Sequence, residues 1–170
     1  MEGSDGGDPR LVSLALAAFA VVLYLALLVA SFGVISLVTD TDVIDTKNTG
    51  LLVGPAMSGS ALVIVAVRLA GVAIRHVHDT EHGFTTARIP LGAGVVTGIC
   101  ATLAYVAIGA MLRALEQSQL VELVLFGGHQ LLRPYAWTAG ILALVVHVLF
   151  AVVLATRGNK PGRPLWPWEK

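Results

Sequence analysis

LVSLALAAFAVVLYLALLVASFGVISLV, residues 11–38, decides the class of fold. These 28 residues hold no Asp, Glu, Lys, Arg or His. A helix needs about 20 apolar residues to cross the hydrocarbon core of a bilayer. Wound as a helix, the run measures about 42 Å against a core of roughly 30 Å, so it tilts or projects beyond the membrane. The run is not expected to be a secretory signal, on two counts. The apolar region of such a signal is about 7–15 residues behind a basic leader, whereas this leader, Glu2 to Asp8, is acidic.

Outward from that run the same pattern repeats. Only Arg68 interrupts Lys47 to Arg75, nothing ionic interrupts Arg88 to Arg113, and only His147 interrupts Arg133 to Arg157. The spans are expected at about Leu11–Val38, Leu51–Ile74, Ile89–Leu112 and Tyr135–Ala155. The composition agrees, with 56% hydrophobic residues, 13% charged and mean hydropathy +0.81, where a soluble domain carries about 25% charged residues. The expected fold is all-α: a polytopic membrane protein with four transmembrane helices in a bundle. Residues 1–10 form one terminus, 11–155 the membrane domain, and 156–170 a basic tail rich in Pro and Trp.

Orientation follows from the excess of Lys and Arg on cytoplasmic loops. With the N-terminus inside, Arg10, Arg68, Arg75, Arg88, Arg157, Lys160, Arg163 and Lys170 fall on or near the inner side, against Lys47, Arg113 and Arg133 outside. Both termini are therefore expected in the cytoplasm. Pro55, Pro90 and Pro134 sit at or beside helix starts, where a missing N–H costs nothing. Tyr135 and Trp137 are expected as interface anchors at the outer end of the fourth span, with Trp166 and Trp168 past its inner end.

In lipid, helices associate through small residues that let backbones approach. The third span carries Gly94, Gly98 and Ala101 on one face and Ala93, Thr97, Cys100, Ala104 and Ala107 on another, which predicts the most buried helix. The second lines up Gly54, Ser58, Ala61 and Arg68. The fourth lines up Ala136, Gly140, Ala143, His147 and Ala151. The first offers Ser13, Ala17, Ala20, Tyr24 and Ser31. These stripes serve packing within the bundle or an interface with another helix.

His147 lies near mid-membrane on a small-residue stripe. An ionisable residue there is costly and faces the bundle interior or a cavity. Its chemistry suits either a proton relay or a neutral ring bonded to a nearby hydroxyl, with Tyr24, Thr97 and Tyr105 as candidates. Arg68, about two turns from the inner end of its span, can snorkel to headgroups and meet lipid phosphate, or recognise an anion in a cavity. The inner loop Arg75–His82 holds His76, His78 and His82, with Asp79 and Glu81. Four-residue spacing puts His78 and His82 on one helix face, where imidazoles bind Zn²⁺ or Ni²⁺, although the order fits no zinc signature. Otherwise it is a solvated hairpin. Asp40, Asp42 and Asp45 resemble the start of a calcium loop, but Ile44 stands where an oxygen ligand is needed, so a solvated acidic loop is expected. Between Arg113 and Pro134, Leu120, Val121, Val124 and Leu125 follow helical spacing and predict a short amphipathic helix on the outer surface, ended by Gly127-Gly128.

What is missing narrows the function. Net charge is zero, so no basic face argues for nucleic acid. One cysteine, Cys100, cannot sustain the thiol exchange of quinone-linked oxidoreductases. A span without Asp or Glu disfavours a proton-coupled exporter of cationic drugs, and a single deep histidine disfavours a bis-histidine haem. There is no phosphate loop, nucleophile elbow or zincin motif. A non-enzymatic role is expected, without a cofactor unless the histidine loop takes a divalent metal: an accessory or scaffold subunit that packs in the bilayer with itself or a larger membrane complex. The alternative is a small oligomeric transporter or channel with its pathway near His147 and Arg68.

The stretch Ser36-Leu-Val-Thr-Asp-Thr-Asp-Val-Ile-Asp45, with Gly50-Leu-Leu-Val-Gly-Pro-Ala-Met57, resembles an uncharacterised four-span integral membrane family of actinobacteria. The resemblance covers about 20 residues at the first outer loop together with the four-span layout. It implies a bacterial plasma-membrane location and carries no activity or site residues.

Overall fold

A computed structural model describes residues 9–40, 52–81 and 91–157. Five helices follow one another, α1 (Pro9–Thr39), α2 (Val53–Glu81), α3 (Leu91–Gln117), α4 (Val121–Leu132) and α5 (Pro134–Arg157), with no strand among the described residues. Arg10–Thr39, Val53–His78, Leu91–Gln117 and Pro134–Thr156 are each long and apolar enough to cross a bilayer. In hydrocarbon no water can satisfy a peptide group, so each such segment closes its hydrogen bonds within its own helix.

Two helices overrun their expected spans. α2 continues beyond Ile74 to Glu81, so Arg75, His76 and His78 extend a helix where a hairpin was expected. α3 continues beyond Leu112 to Gln117 and takes Arg113 into the bundle. Apolarity marks only where hydrocarbon ends, whereas an established helix propagates at one hydrogen bond per added residue. Proline sets two starts, being the first residue of α1 and of α5. Proline disfavours the α region for a side-chain-bearing residue before it. Arg133 is accordingly extended, at φ −87° and ψ 149°, and that one residue separates α4 from α5.

α2 and α5 each pack against α1 and α3, and also touch each other, leaving α1 and α3 at opposite corners. α3 lies between α2 and α5, and α4 lies mainly on α3. The expectation that α3 would be the most buried holds only jointly. The spanning windows of α3 and α5 are each 44% buried, against 28% for α1 and α2. At the end of the bundle that carries α4, Phe32 sets its edge against Tyr105 and Tyr135, at centroid separations of 5.9 and 5.2 Å. Tyr135 is thus fully buried and does not anchor the interface as expected. Trp137 is exposed and donates from Nε1 to the Leu131 carbonyl at 2.8 Å.

The buried stripe of α2 is Val53, Met57, Ala61, Val65, Leu69, Ala73 and Val77. Gly54, Ser58 and Arg68 sit on its flank, half-buried. Small residues matter where backbones nearly touch, and here the gap is on the other helix: a Cβ at Gly109 of α3 would fall 2.6 Å from Met57 Sδ. Ala107, placed by its spacing on a packing face of α3, is exposed.

The short helix exists but differs from its expected form. α4 runs through Gly127-Gly128 to Leu132, because Gly127 is buried against α3, where a Cβ would lie 3.5 Å from Ala110 and 3.8 Å from Val106. Phe126, Gly127 and Gln130 make the bundle-facing side, while Leu120, Val121, Val124 and Leu125 are exposed.

Candidate intramembrane polar site

Thr97 is the hub. On an α-helix, Thr can return its hydroxyl hydrogen to the carbonyl four residues back, and Thr97 Oγ1 donates to Ala93 O at 2.8 Å. A hydroxyl has one hydrogen and two lone pairs, so both lone pairs remain. Arg68 Nε of α2 donates to one, at 3.2 Å. His147 Nδ1 of α5 lies 3.1 Å away. While the hydroxyl hydrogen goes to Ala93 O, Nδ1 is the donor and Nε2 an acceptor; the direction of the Thr97–His147 bond follows the ring tautomer. Nε2 is buried and has no hydrogen-bond partner. Arg68 makes a second bond to α3, from Nη2 to Ala93 O at 3.4 Å.

Three spans therefore meet through Arg68, Thr97 and His147. Thr97 and His147 are buried, and Arg68 is half-buried. The low dielectric of such a site strengthens each bond and raises the cost of any polar atom left out. The sequence singled out Arg68 and His147 separately and named Thr97 as one of three hydroxyls within reach of the histidine. Tyr24 belongs elsewhere: its hydroxyl donates to Ala139 O at 3.1 Å, tying α1 to α5 about two turns from His147.

The helix-packing residues come together at the α3–α5 crossing. Gly94, Gly98, Ala101 and Gly140 are all buried. A Cβ at Gly98 would lie 2.8 Å from Gly140 O, one at Gly140 would lie 2.9 Å from Gly98 O and run into Thr102 Oγ1, and one at Gly94 would lie 3.0 Å from Val148 Cγ2. Thr102 in turn donates to Gly98 O at 3.1 Å. Beside the crossing, a groove of about 280 Å³ opens on the outside of the bundle, lined by Ile99, Thr102, Leu103, Trp137, Ile141 and Leu144 among others.

The histidines of the proposed metal group do not gather among the described residues. His76 and His78 are two residues apart on a helix, roughly 200° around its axis, His76 half-buried and His78 exposed. His82 lies outside the described residues, as do Asp42 and Asp45. No three His, Cys, Asp or Glu side chains converge among the described residues. Asp40 ends α1, exposed and at φ 47°.

Polar groups that the sequence had not singled out are buried towards the α4 end. Arg113 is 7% exposed, 3.8 Å from Glu116, and Gln130 is 2% exposed. Gln130 Oε1 is buried without a hydrogen-bond partner, as is the hydroxyl of Tyr105, which the sequence had named as a candidate partner of His147. The available signal was spacing: Arg113 follows Ala110 by three residues, and Gln130 follows Phe126 by four, each continuing a buried helical face.

The chain belongs to DUF6121, a family of unknown function, whose model matches residues 8–170. No curated protein and no solved structure matches the chain.

Proposed function

We propose that this protein is a non-enzymatic membrane subunit that acts by helix packing, joining a second copy of itself or a larger membrane complex through the outer face of α3 and α5. The groove beside the Gly98–Gly140 crossing carries this reading. Its rim side chains Ile99, Leu103, Trp137 and Ile141 are exposed. The small residues beneath are spent on contacts inside the bundle, so the rim remains for a neighbour. Without a hydrophobic drive between helices in lipid, complementary packing of this kind supplies association.

Native mass spectrometry of untagged protein, gently extracted from its own membrane, tests the proposal. A reproducible second copy or larger partner, lost when Ile99→Trp or Ile141→Trp fills the groove, supports it. A bare monomer, or a complex that ignores both substitutions, overturns it.

A second reading draws on the hydrogen-bonded series Arg68, Thr97 and His147, which spans three helices and ends on an unpartnered Nε2. An oligomer of this chain would then form a transport pathway near these residues. Ion or proton flux into proteoliposomes that His147→Gln abolishes would favour it over the packing role.

A further inference from the structure

We propose that the guanidinium of Arg68 is the seat of a phosphate oxyanion. A guanidinium presents five N–H donors in a fixed plane. The structure engages two of them on α3, Nε with Thr97 Oγ1 and Nη2 with Ala93 O. Nε and Nη2 share the side edge of the group. The terminal edge, made by Nη1 and the other hydrogen of Nη2, meets no acceptor among the described residues. That edge is the fork that matches two oxygens of a carboxylate or phosphate.

The apolar stretches that pack around Arg68 offer no carboxylate to fill it. No Asp or Glu occurs from Lys47 to Arg75, from Arg88 to Arg113, or from Arg133 to Arg157, the stretches that supply α2, α3 and α5 around Arg68. Its two acceptors are neutral oxygens, which satisfy hydrogens and leave the charge uncompensated. A lone charge at membrane depth is costly without a counterion.

Position points to phosphate. Ala93 is the third residue of α3, so the guanidinium sits about one turn inside the end of that helix, roughly 5 Å. A bilayer presents phosphate just beyond its hydrocarbon edge, and basic side chains near a span's end reach for it. Among the described residues, a Cβ at Gly71 or at Gly92 on that side would meet no atom within 4 Å. The oxyanion is a lipid headgroup diester or dissolved phosphate, and both would use the same fork.

Full-length protein carrying phosphatidylglycerol in mixed micelles is compared by native mass spectrometry with Arg68→Gln and Arg68→Lys. Arg75→Gln serves as a control, since Arg75 is exposed on the same helix. Wild type and Arg75→Gln are expected to retain the lipid under activation that strips it from Arg68→Gln about tenfold more readily, the scale of one lost charge-assisted pair. Arg68→Lys keeps the charge without the fork, and retention several-fold below wild type is expected. Equal retention by wild type and Arg68→Gln, or an equal loss from Arg75→Gln, overturns the site. If Arg68→Gln does not fold, equal retention by wild type and Arg68→Lys overturns the fork. A second arm titrates inorganic phosphate into lipid-free protein. Thermal stabilisation of wild type but not of Arg68→Lys, with no lipid retained, assigns the same fork to dissolved phosphate.

Discussion

Gly98 of α3 and Gly140 of α5 face each other across a gap that admits no side chain: a Cβ on either would fall within 2.9 Å of the other's carbonyl oxygen. Backbone atoms cannot swing aside as a side-chain tip can, so a methyl group here forces the two helices apart. Overpacking of a well-filled contact costs about 1–3 kcal/mol. Gly98→Ala should therefore lower the thermal midpoint in detergent, and Gly98→Leu should abolish the folded state. Heating with a thiol-reactive dye reads this directly, because half-buried Cys100 is the single thiol. An unchanged midpoint in Gly98→Ala would show that the crossing is looser than described.

Thr97 joins three helices through one oxygen, so its replacements separate shape from bonding. Thr97→Val keeps the volume and removes the acceptor for Arg68 Nε and His147 Nδ1. Leaving a buried donor unmade costs about 1–3 kcal/mol, more when it is charged. Thr97→Ser retains the hydroxyl and gives up one methyl group. The serine variant should melt near wild type and the valine variant well below it. The reverse order, measured by the same dye assay, would make methyl packing the dominant role of this residue.

Much of this architecture was readable in the chain, and the misses concern helix neighbours and helix ends. Four long runs without charge fix the class, because hydrocarbon tolerates little else. His147 is conspicuous for being the only ionic residue in its run. Its link to Arg68 was not readable, because periodicity gives the residues on one helix face but not the neighbour that face turns toward. That rotation depends on contacts such as Met57 over Gly109, which involve helices far apart in sequence. Tyr135 was misread for a similar reason. An aromatic residue at a span's end suits the interface or a crowded interior, and Phe32 on α1 draws it inward. Arg113 was hidden by taking the edge of apolarity as the end of α3, and Gln130 by taking Gly127-Gly128 as the end of α4.

Tyr24 makes one hydrogen bond between helices, from its hydroxyl to Ala139 O, and fills its site completely. Tyr24→Phe removes the bond and preserves the ring. Hydrogen bonds between membrane helices average about 0.6 kcal/mol and reach about 1.7. A melting change in that modest range is expected, with the fold intact. Collapse of the fold in Tyr24→Phe would mean that the hydroxyl serves more than this carbonyl.

The last expectation concerns the side of α4 turned away from the bundle. Leu120 is 85% exposed and Val124 71%, and Val121 and Leu125 are exposed beside them. His129, also exposed, accepts from Arg133 Nε at 3.1 Å and puts polar character on a different edge of the helix. A broad apolar side next to a polar edge is the pattern of a helix lying in the membrane interface, and an aqueous setting would leave these four side chains in water. Spin labels at Val124→Cys and at His129→Cys, each in a Cys100→Ser background, distinguish the two settings in liposomes. The label at 124 should collide more with oxygen, which concentrates in lipid, and the label at 129 more with a water-soluble nickel chelate. Equal access of the chelate to both would lift α4 off the bilayer, and its apolar side would then need a protein to cover it.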